Sequence, residues 1–558
     1  SQGGDGGRIE TSGYKLITTG VSGSASALKG KSGLWLFDPT NITIGAAGSN
    51  AAATNNGSNI IASTINTLLN GGTSVTITTQ SGDADLGDLT VNTAIEKSSG
   101  ANDVTLILKA ANSIILNESI THTGGTGKLN IQLDSDNDSA AGASASRDGA
   151  GIIIVENNIS SGGGDITFGG DLNNSLYGGD LYVGGGSTAV SIDSSGGDIH
   201  IKGQLIVANS SASGLTLTSS NGAITIGGAI DSGNSYTGVT STLNWTEARD
   251  AADDVANSYL ATITSSLENS LAIRAAGYDS AWLGGRRKPD TNLWQWVTDP
   301  NYNATTNPLT FFYQGVNGQT ERGVGSSGSG GTTATGYFAN WNNWDGGLTG
   351  EPNNWTGGAA GNFGDQNESG LQFTGSKGLW NDLPETGSDL TKYVRETELA
   401  SSKLTLNAGS GNVTLSGAVG SSKALSDLSI TGAEITGSSV ALDSSKDLTI
   451  TNTGASSFTG AISGTSADII KNGTGTLTLS GNNTYTGQTT ISAGTLDISG
   501  RLGSGAYSGA ISNSGTLTYS SNLDQILSGV ISGTGSLTKS GTGKLSLTGS
   551  NTYTGNNT

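Results

Sequence analysis

The sequence predicts a mainly β protein, built as a solenoid of stacked β coils into which one α+β domain is inserted. Short runs of alternating apolar residues recur between corners rich in Gly, Ser and Asn, a pattern typical of many short strands. Glycine supplies 90 of the 558 residues and proline only six, so the composition does not indicate disorder. Eight of the nine tryptophans lie between residues 235 and 397, which marks a segment with a different kind of core.

These observations predict three segments: a solenoid over residues 1–234, the inserted domain over 235–397, and a second stretch of solenoid over 398–558. In the solenoid, each coil of roughly 20 to 30 residues would bury alternate side chains and pair its backbone with the neighbouring coils. The predicted strands are Val75–Ile77, Val104–Leu108, Leu129–Leu133, Ile152–Val155, Asp165–Phe168, Asp198–Ile201, Leu215–Leu217, Ala223–Ile226, Leu404–Leu406 and Val413–Leu415.

Two stretches depart from this alternation. Between Ile60 and Leu69 the apolar residues fall at helical spacing, which predicts a short helix or an irregular loop packed on the side of the solenoid. The acidic run Asp134–Asp138 looks like a calcium loop, but Ser139 and Ala145 stand where an EF-hand would need glycine and glutamate. A solvated acidic loop is the better interpretation.

Composition excludes several classes of function. Lysine and arginine number 25 against 45 acidic residues, and the net charge of −20 argues against nucleic acid and anionic membrane surfaces as partners. The chain has no cysteine, which removes disulfides, zinc–cysteine sites and thiol catalysis. It has two histidines, and no apolar run is long enough to span a bilayer. Because it has no methionine and no signal peptide, we expect it to begin inside a longer precursor or after processing.

The N-terminal region contains Gly33-Leu34-Trp35-Leu36-Phe37-Asp38-Pro39, followed by Ile42-Thr43-Ile44. This motif resembles the filamentous-haemagglutinin type of bacterial surface adhesin, in which it marks one turn of the solenoid. The resemblance implies that the solenoid is a right-handed parallel β-helix.

The C-terminal third contains a repeat. The segment Gly473–Gly487 (GTGTLTLSGNNTYTG) returns as Gly541–Gly555 (GTGKLSLTGSNTYTG). It resembles the passenger-associated repeat of bacterial autotransporters, which implies that these coils belong to a longer stalk continuing beyond Thr558.

The residues best suited to a specific activity lie between Glu351 and Asp382. Glu351-Pro352-Asn353, Glu368 and Trp380-Asn381-Asp382 supply five side-chain oxygen donors of the kind calcium prefers, three of them carboxylates. A metal held by these groups would keep positions open, and the two amides also carry donor hydrogens. Both features suit a pair of neighbouring sugar hydroxyls.

The same segment resembles the C-type lectin fold. The resemblance rests on the two tripeptides and on four upstream stretches: Asn244–Arg249 and Leu260–Ile263, which look like the first helix and the strand after it, and the strands Trp282–Gly285 and Trp294–Val297. It implies a calcium ion that ligates sugar hydroxyls directly, and the Glu-Pro-Asn form implies mannose-type sugars. Carried over residue by residue, the implied ligands of calcium and sugar are Glu351, Asn353, Glu368, Asn381 and Asp382, with Asp365 as the rival of Glu368 and with Trp344 or Trp355 stacked on a sugar face.

The leading functional prediction is a non-enzymatic adhesin or filament stalk at the bacterial cell surface, displaying a calcium-dependent carbohydrate-binding domain to extracellular or cell-surface glycans. One alternative is a structural filament or surface-layer protein, in which the inserted domain contacts other proteins or copies of the same chain. A remote alternative is a polysaccharide-degrading β-helix enzyme. That role would require two acids held at a fixed separation on adjacent strands, whereas Asp165 and Asp198 are predicted at corners.

Overall fold

The computed structural model divides into two compact units. Of the described residues, unit 1 comprises those up to Gly233 and those from Ala400 to Thr558, and unit 2 comprises those between Asn234 and Leu399. The structure describes residues 4–13, 16, 18, 23–27, 30–39, 41–46, 58–79, 87–135, 151–170, 180–184, 188–209, 211–263, 265–287, 293–296, 311–314, 332–333, 368–374, 379–384 and 389–558.

Unit 1 consists of short strands that pair in parallel with the equivalent strands of the coils before and after them. In the part that the structure describes, these strands form three long sheets. The first has fifteen strands: Arg8–Ser12, Gly33–Asp38, Thr73–Thr78, Val104–Lys109, Leu129–Asp134, Ile166–Phe168, Ile199–Ile201, Ile224–Ile226, Val413–Leu415, Ile435–Gly437, Ser456–Phe458, Thr476–Leu479, Thr495–Ile498, Thr516–Tyr519 and Ser536–Lys539.

The other two long sheets complete the coils. The second has twelve described strands: Ile95–Lys97, Ile120–His122, Ile159–Ser160, Val190–Asp193, Leu215–Thr218, Leu404–Asn407, Leu428–Gly432, Asp447–Asn452, Asp468–Asn472, Thr489–Ile491, Ile511–Asn513 and Ile531–Ser532. The third has eight: Ile42–Gly45, Ser58–Ile61, Leu89–Val91, Ile114–Leu116, Ile152–Val155, Asp180–Gly184, Leu205–Ala208 and Ile230–Ser232. Three small sheets contain Val440–Ala441 and Ile462–Ser463; Asn482–Asn483 and Arg501–Leu502; and Ala506–Tyr507, Gln525–Leu527 and Leu545–Leu547.

Alternation along each strand explains why the coils stack. Val75, Leu106, Ile131, Ile166 and Ile199 are register partners in successive coils, and each is at most 1% exposed. The residues between them on each strand face outward and are polar in most coils. Burial of an aliphatic side chain contributes about 1.5–3 kcal/mol, and one apolar cluster runs through the described coils of unit 1. The predicted mainly β solenoid is confirmed.

The helical spacing after Ile60 produces helix α1, Ala62–Asn70. Ile65, Leu68 and Leu69 are at most 3% exposed and belong to the same apolar cluster as the strands. The helix is therefore part of the core rather than a loop laid against it.

The coils of unit 1 continue across the segment Asn234–Leu399. Leu215 pairs with Leu404, and Ile224 with Val413, in the same parallel registers that the other coils use. A last backbone bridge joins Ile230 to Val419. All three sheets are thus bridged between the coil that precedes unit 2 and the coil that follows it.

Unit 2 has a different architecture: its described residues form two helices and a largely antiparallel sheet. The helices are α2, Trp245–Asp253, and α3, Ser266–Ala275. Its described strands are Ser235–Leu243, Ser258–Leu260, Trp282–Arg287, Leu293–Trp296, Phe311–Gln314, Thr332–Thr333, Glu368–Thr374, Leu379–Pro384 and Leu390–Thr397.

The ends of two elements of unit 2 differ from what the sequence pattern indicates. Val255, which continues the apolar spacing of Trp245, Ala248 and Ala252, is 38% exposed because α2 ends at Asp253. The strand expected over Leu260–Ile263 instead covers Ser258–Leu260. The resemblance to the C-type lectin fold thus identified both elements, and the structure corrects their ends.

Candidate functional site

The predicted ligands fall into two groups. Glu351, Asn353 and Trp355 lie outside the described residues, as do Asp365 and Trp344. Glu368, Asn381 and Asp382 lie on described strands of unit 2.

One antiparallel hairpin carries those last three residues. The strands Glu368–Thr374 and Leu379–Pro384 pair so that Gln372 lies opposite Asn381, and Leu371 opposite Asp382. Glu368 pairs with Pro384, two residues beyond Asp382, which is roughly 7 Å along the strand. The fold therefore brings the backbone at three of the five predicted ligand positions into one small region.

The hairpin rests on the apolar core of unit 2. Leu371 and Phe373 are fully buried and pack in one cluster with Leu283 and Val394. Leu371 is also the register partner of Leu283 on the strand Trp282–Arg287. This packing holds the strand that begins at Glu368 against the centre of the sheet.

Gln372 is a polar residue that the sequence interpretation did not single out. It is 6% exposed, and its buried Oε1 has no hydrogen-bond partner among the described residues. A buried carbonyl oxygen without a partner costs about 1–3 kcal/mol. The residue lies on the strand of Glu368 and opposite Asn381. In the sequence, Gln372 is a polar residue between two apolar ones, Leu371 and Phe373, and the structure places all three on one strand.

Two tryptophans fix the frame around this hairpin. Trp245 Nε1 donates to the carbonyl of Leu283 at 2.7 Å, and Trp282 Nε1 donates to the carbonyl of Leu243 at 2.8 Å. Both indoles are fully buried. Helix α2 begins with a capping box, in which Asn244 and Glu247 each accept the other's backbone N–H. Trp245 and Trp282 therefore have a structural role.

The first and last strands of unit 2 meet at a buried carboxyl group. Tyr236 on Ser235–Leu243 and Tyr259 on Ser258–Leu260 are both register partners of Glu396 on Leu390–Thr397. Glu396 is 3% exposed. Burial, and next the nearby carboxylate of Glu268, raise the pKa of Glu396 to about 8. Burial, and next Glu396 itself, also raise the pKa of Tyr259.

The corner acids of unit 1 hold the backbone of adjacent coils. Asp165 Oδ1 accepts the N–H of Asp198 at 2.9 Å, and Asp198 Oδ1 accepts the N–H of Ala223 at 2.8 Å. Across the described residues, no group of three or more histidine, aspartate and glutamate side chains could hold a metal ion; Glu351 and Asn353 lie outside that search.

The repeated sequence forms the same local structure twice. Asn483 Oδ1 accepts the N–H of Ile462 at 3.0 Å, and Asn551 Oδ1 accepts that of Ile531 at 2.8 Å. The next residue in each copy donates its N–H to the carbonyl of the same isoleucine. Each Asn-Thr-Tyr-Thr-Gly segment therefore binds both backbone groups of one residue in the preceding coil.

The tyrosine of each repeat reaches a residue four positions later. Tyr485 OH lies 2.8 Å from Thr489 Oγ1, and Tyr553 OH donates to Asn557 Oδ1 at 2.9 Å. Thr489 Oγ1 is also 2.8 Å from Tyr507 OH of the next coil. One hydroxyl thus links two buried tyrosines, whose rings lie 5.4 Å apart in an edge arrangement.

Comparisons with known proteins identify a family likeness for these coils. The passenger-associated-transport-repeat model matches residues 469–498 and 537–558. Halomucin of Haloquadratum walsbyi (strain DSM 16790 / HBSQ001) is 36% identical over 72 residues, which is 12% of this chain and 1% of halomucin. The chain therefore matches a very small part of that relative's length.

Among solved structures, the chain is similar to the cow C-type carbohydrate-recognition domain of CD23, crystallised in the presence of GlcNAc2Man3 oligosaccharide. The identity is 23%, the match covers 30% of this chain and 88% of that chain, and the TM-score is 0.19. In the described part of the chain, every helix is too short or too polar to traverse a bilayer. The repeat match and the parallel coils together support an autotransporter-like β-helical passenger.

Proposed function

We propose that this chain is a surface-exposed adhesin in which an autotransporter-like β-helix carries a calcium-dependent carbohydrate-binding domain in unit 2. The passenger-associated-transport repeats support the surface location and the non-enzymatic role. Asp165 and Asp198 accept hydrogen bonds from backbone N–H groups of the next coil. This structural role favours an adhesin over an enzyme whose catalytic acids lie on the β-helix.

The observation that carries the binding proposal is the hairpin that brings Glu368 close in register to Asn381 and Asp382. With Glu351 and Asn353, these residues offer a donor set of three carboxylates and two amides. Calcium takes six to eight oxygen ligands and accepts carboxylates and amide carbonyls, so this donor set fits the ion.

Bound calcium would supply open coordination positions for two neighbouring sugar hydroxyls. The carboxylates of Glu351 and Glu368 would accept hydrogen bonds from those hydroxyls, while the amides of Asn353 and Asn381 would donate. The Glu-Pro-Asn sequence indicates mannose-type sugars through its resemblance to the C-type lectins. Trp355 is the aromatic residue best placed in the sequence to stack on a sugar face.

One shallow site of this kind should bind weakly, near millimolar to high micromolar. Adhesion would then depend on many copies acting together. Extracellular calcium modules bind their ion at ~0.1–1 mM, so the domain would be loaded outside a cell.

A glycan array probed with the full chain, in calcium and in chelator, tests the proposal. We expect binding to mannose-type glycans that is lost in chelator. The double variant Glu351→Gln, Asn353→Asp should shift the preference towards galactose, and the matched control Glu398→Gln, at an exposed carboxylate, should bind as the wild type does. Binding that persists in chelator, or no binding in either condition, would contradict the proposal. The latter outcome would favour a filament or surface-layer role with protein contacts.

A further inference from the structure

The carboxyl of Glu396 lies at the closure of unit 2 and is held by neutral donors. Oε1 accepts from Asn234 Nδ2 at 2.6 Å and from Tyr236 OH at 3.4 Å, and Oε2 accepts from the backbone N–H of Thr262 at 2.9 Å. Asn234 immediately precedes the first strand of unit 2, Tyr236 lies near the start of that strand, and Thr262 lies in the loop after Ser258–Leu260.

The charged neighbour of this group has the same sign. Glu268, in the first turn of α3, opposes ionisation of Glu396. The other titratable groups that face the cluster are Tyr236 on the first strand, Tyr259 on Ser258–Leu260, and Glu398 just after the last strand. The hydrogen bonds from Asn234 and Thr262 favour the ionised form and lower the pKa of Glu396, but burial and the nearby carboxylate of Glu268 raise it by more. A buried carboxylate with no cation beside it among the described residues is costly unless it takes up a proton.

We propose that Glu396 is a proton-dependent latch, which holds the first and last strands of unit 2 together when it is protonated and weakens their closure when it ionises. Both flanking strands have their register partner at this residue. A charge formed here therefore acts on the seam that joins the beginning of the domain to its end.

The direction of the effect follows from linkage. The pKa of Glu396 is about 8 in the folded protein, against an ordinary value of 4.5. The folded state therefore binds this proton more tightly than the unfolded state does. The stability that the proton contributes is fully present below about pH 4.5 and is lost as the pH rises to about 8. Unit 2 should accordingly be more stable in mildly acidic than in alkaline solution.

The proposal does not depend on calcium or sugar, so its test uses the full chain in chelator. Tryptophan fluorescence follows unit 2 selectively, since eight of the nine tryptophans lie in it. The thermal midpoint of wild-type unit 2 should fall by several degrees between about pH 5 and about pH 8 and then level off. In Glu396→Gln, which keeps the shape without the charge, the midpoint should change little. The control Glu398→Gln should follow the wild type.

Glu268→Gln provides a second variant that does not alter the buried carboxyl itself. Removal of the opposing carboxylate lowers the folded-state pKa of Glu396, so the fall in stability should be smaller than in the wild type and should end at a lower pH. A difference between wild type and Glu396→Gln that is independent of pH would overturn the proposal. If Glu396→Gln does not fold, an unchanged pH profile in Glu268→Gln would overturn it instead.

Discussion

The backbone N–H of Ser402 donates a hydrogen bond of 2.9 Å to Oγ of Ser232, although the two residues are 170 positions apart in sequence. Nearby, Leu404 pairs with Leu215 in the same register as the other strands of its sheet. The chain therefore leaves the β-helix after one coil and rejoins it at the next without a change of register. The β-helix does not need the segment between them to complete its hydrogen bonding.

This relationship predicts that unit 2 can be removed. A chain that lacks residues 234–399, with a short glycine–serine linker in their place, should fold into a continuous β-helix. Circular dichroism should show a β spectrum and one cooperative thermal transition. A control deletion that also removes Leu404–Asn407 takes away the strand that pairs with Leu215–Thr218, and it should unfold at a lower temperature. Equal behaviour of the two deletions would contradict the predicted register.

Calcium should stabilise unit 2 selectively. At a free concentration of about 10 mM and a dissociation constant of ~0.1–1 mM, ligand binding should add about 1.5–3 kcal/mol to its free energy of unfolding. Thermal unfolding followed by tryptophan fluorescence, in calcium and in chelator, measures this gain. Asp382→Asn should reduce it strongly, whereas Asp165→Asn in the β-helix should not. An equal gain in both variants would place the ion elsewhere.

Thr489 should contribute more to stability than its neighbour Thr490. Thr489 is fully buried and its hydroxyl links Tyr485 and Tyr507, whereas Thr490 is half-exposed on the same strand. Thr489→Val keeps the shape but leaves tyrosine hydroxyls without this partner, at a cost of about 1–3 kcal/mol. Thr490→Val should change the free energy of unfolding by less than about 0.5 kcal/mol. Chemical denaturation of each variant, made in the chain that lacks unit 2, measures the two changes in the free energy of unfolding. Similar changes for Thr489→Val and Thr490→Val would contradict the proposed role of the Thr489 hydroxyl.

In the absence of calcium, Gln372 should lower the free energy of unfolding of unit 2. Its buried Oε1 has no partner, so Gln372→Met, which is similar in size and apolar, should raise the free energy of unfolding of unit 2 by about 1–2 kcal/mol in chelator. Urea denaturation followed by tryptophan fluorescence measures this change. Leu371→Met provides a control in which one buried apolar residue replaces another. A loss of stability in Gln372→Met, larger than in that control, would show that Oε1 has a partner in solution.

Much of the β-helix could be predicted because its signals are local. The alternation around Val104 and Leu129 fixes which side chains face inward, and the resulting strands are Val104–Lys109 and Leu129–Asp134. The helical spacing after Ile60 likewise predicted α1. The ends of α2 were harder to predict, because the spacing of Val255 fits the apolar face although the helix has already ended.

The sequence predicted which residues belong to the candidate site, but it predicted their spatial arrangement only in part. The tripeptides that contain Asn353 and Asp382 can be recognised in the sequence. The hairpin that brings Glu368 near Asp382 is known only from the strand pairing in the structure. Gln372 was missed, since a single polar residue in a strand carries no signal of whether its oxygen finds a partner.

By itself, the sequence determined that strands form, which of their side chains are apolar, and where a tryptophan-rich segment interrupts the coils. These properties depend on neighbours a few positions apart. Only the tertiary structure decided that Ser232 meets Ser402 and that Glu396 is buried where the charge of Glu268 acts on it. Both results depend on pairing between distant parts of the chain, because burial and register are properties of the strands that come together and not of any one of them.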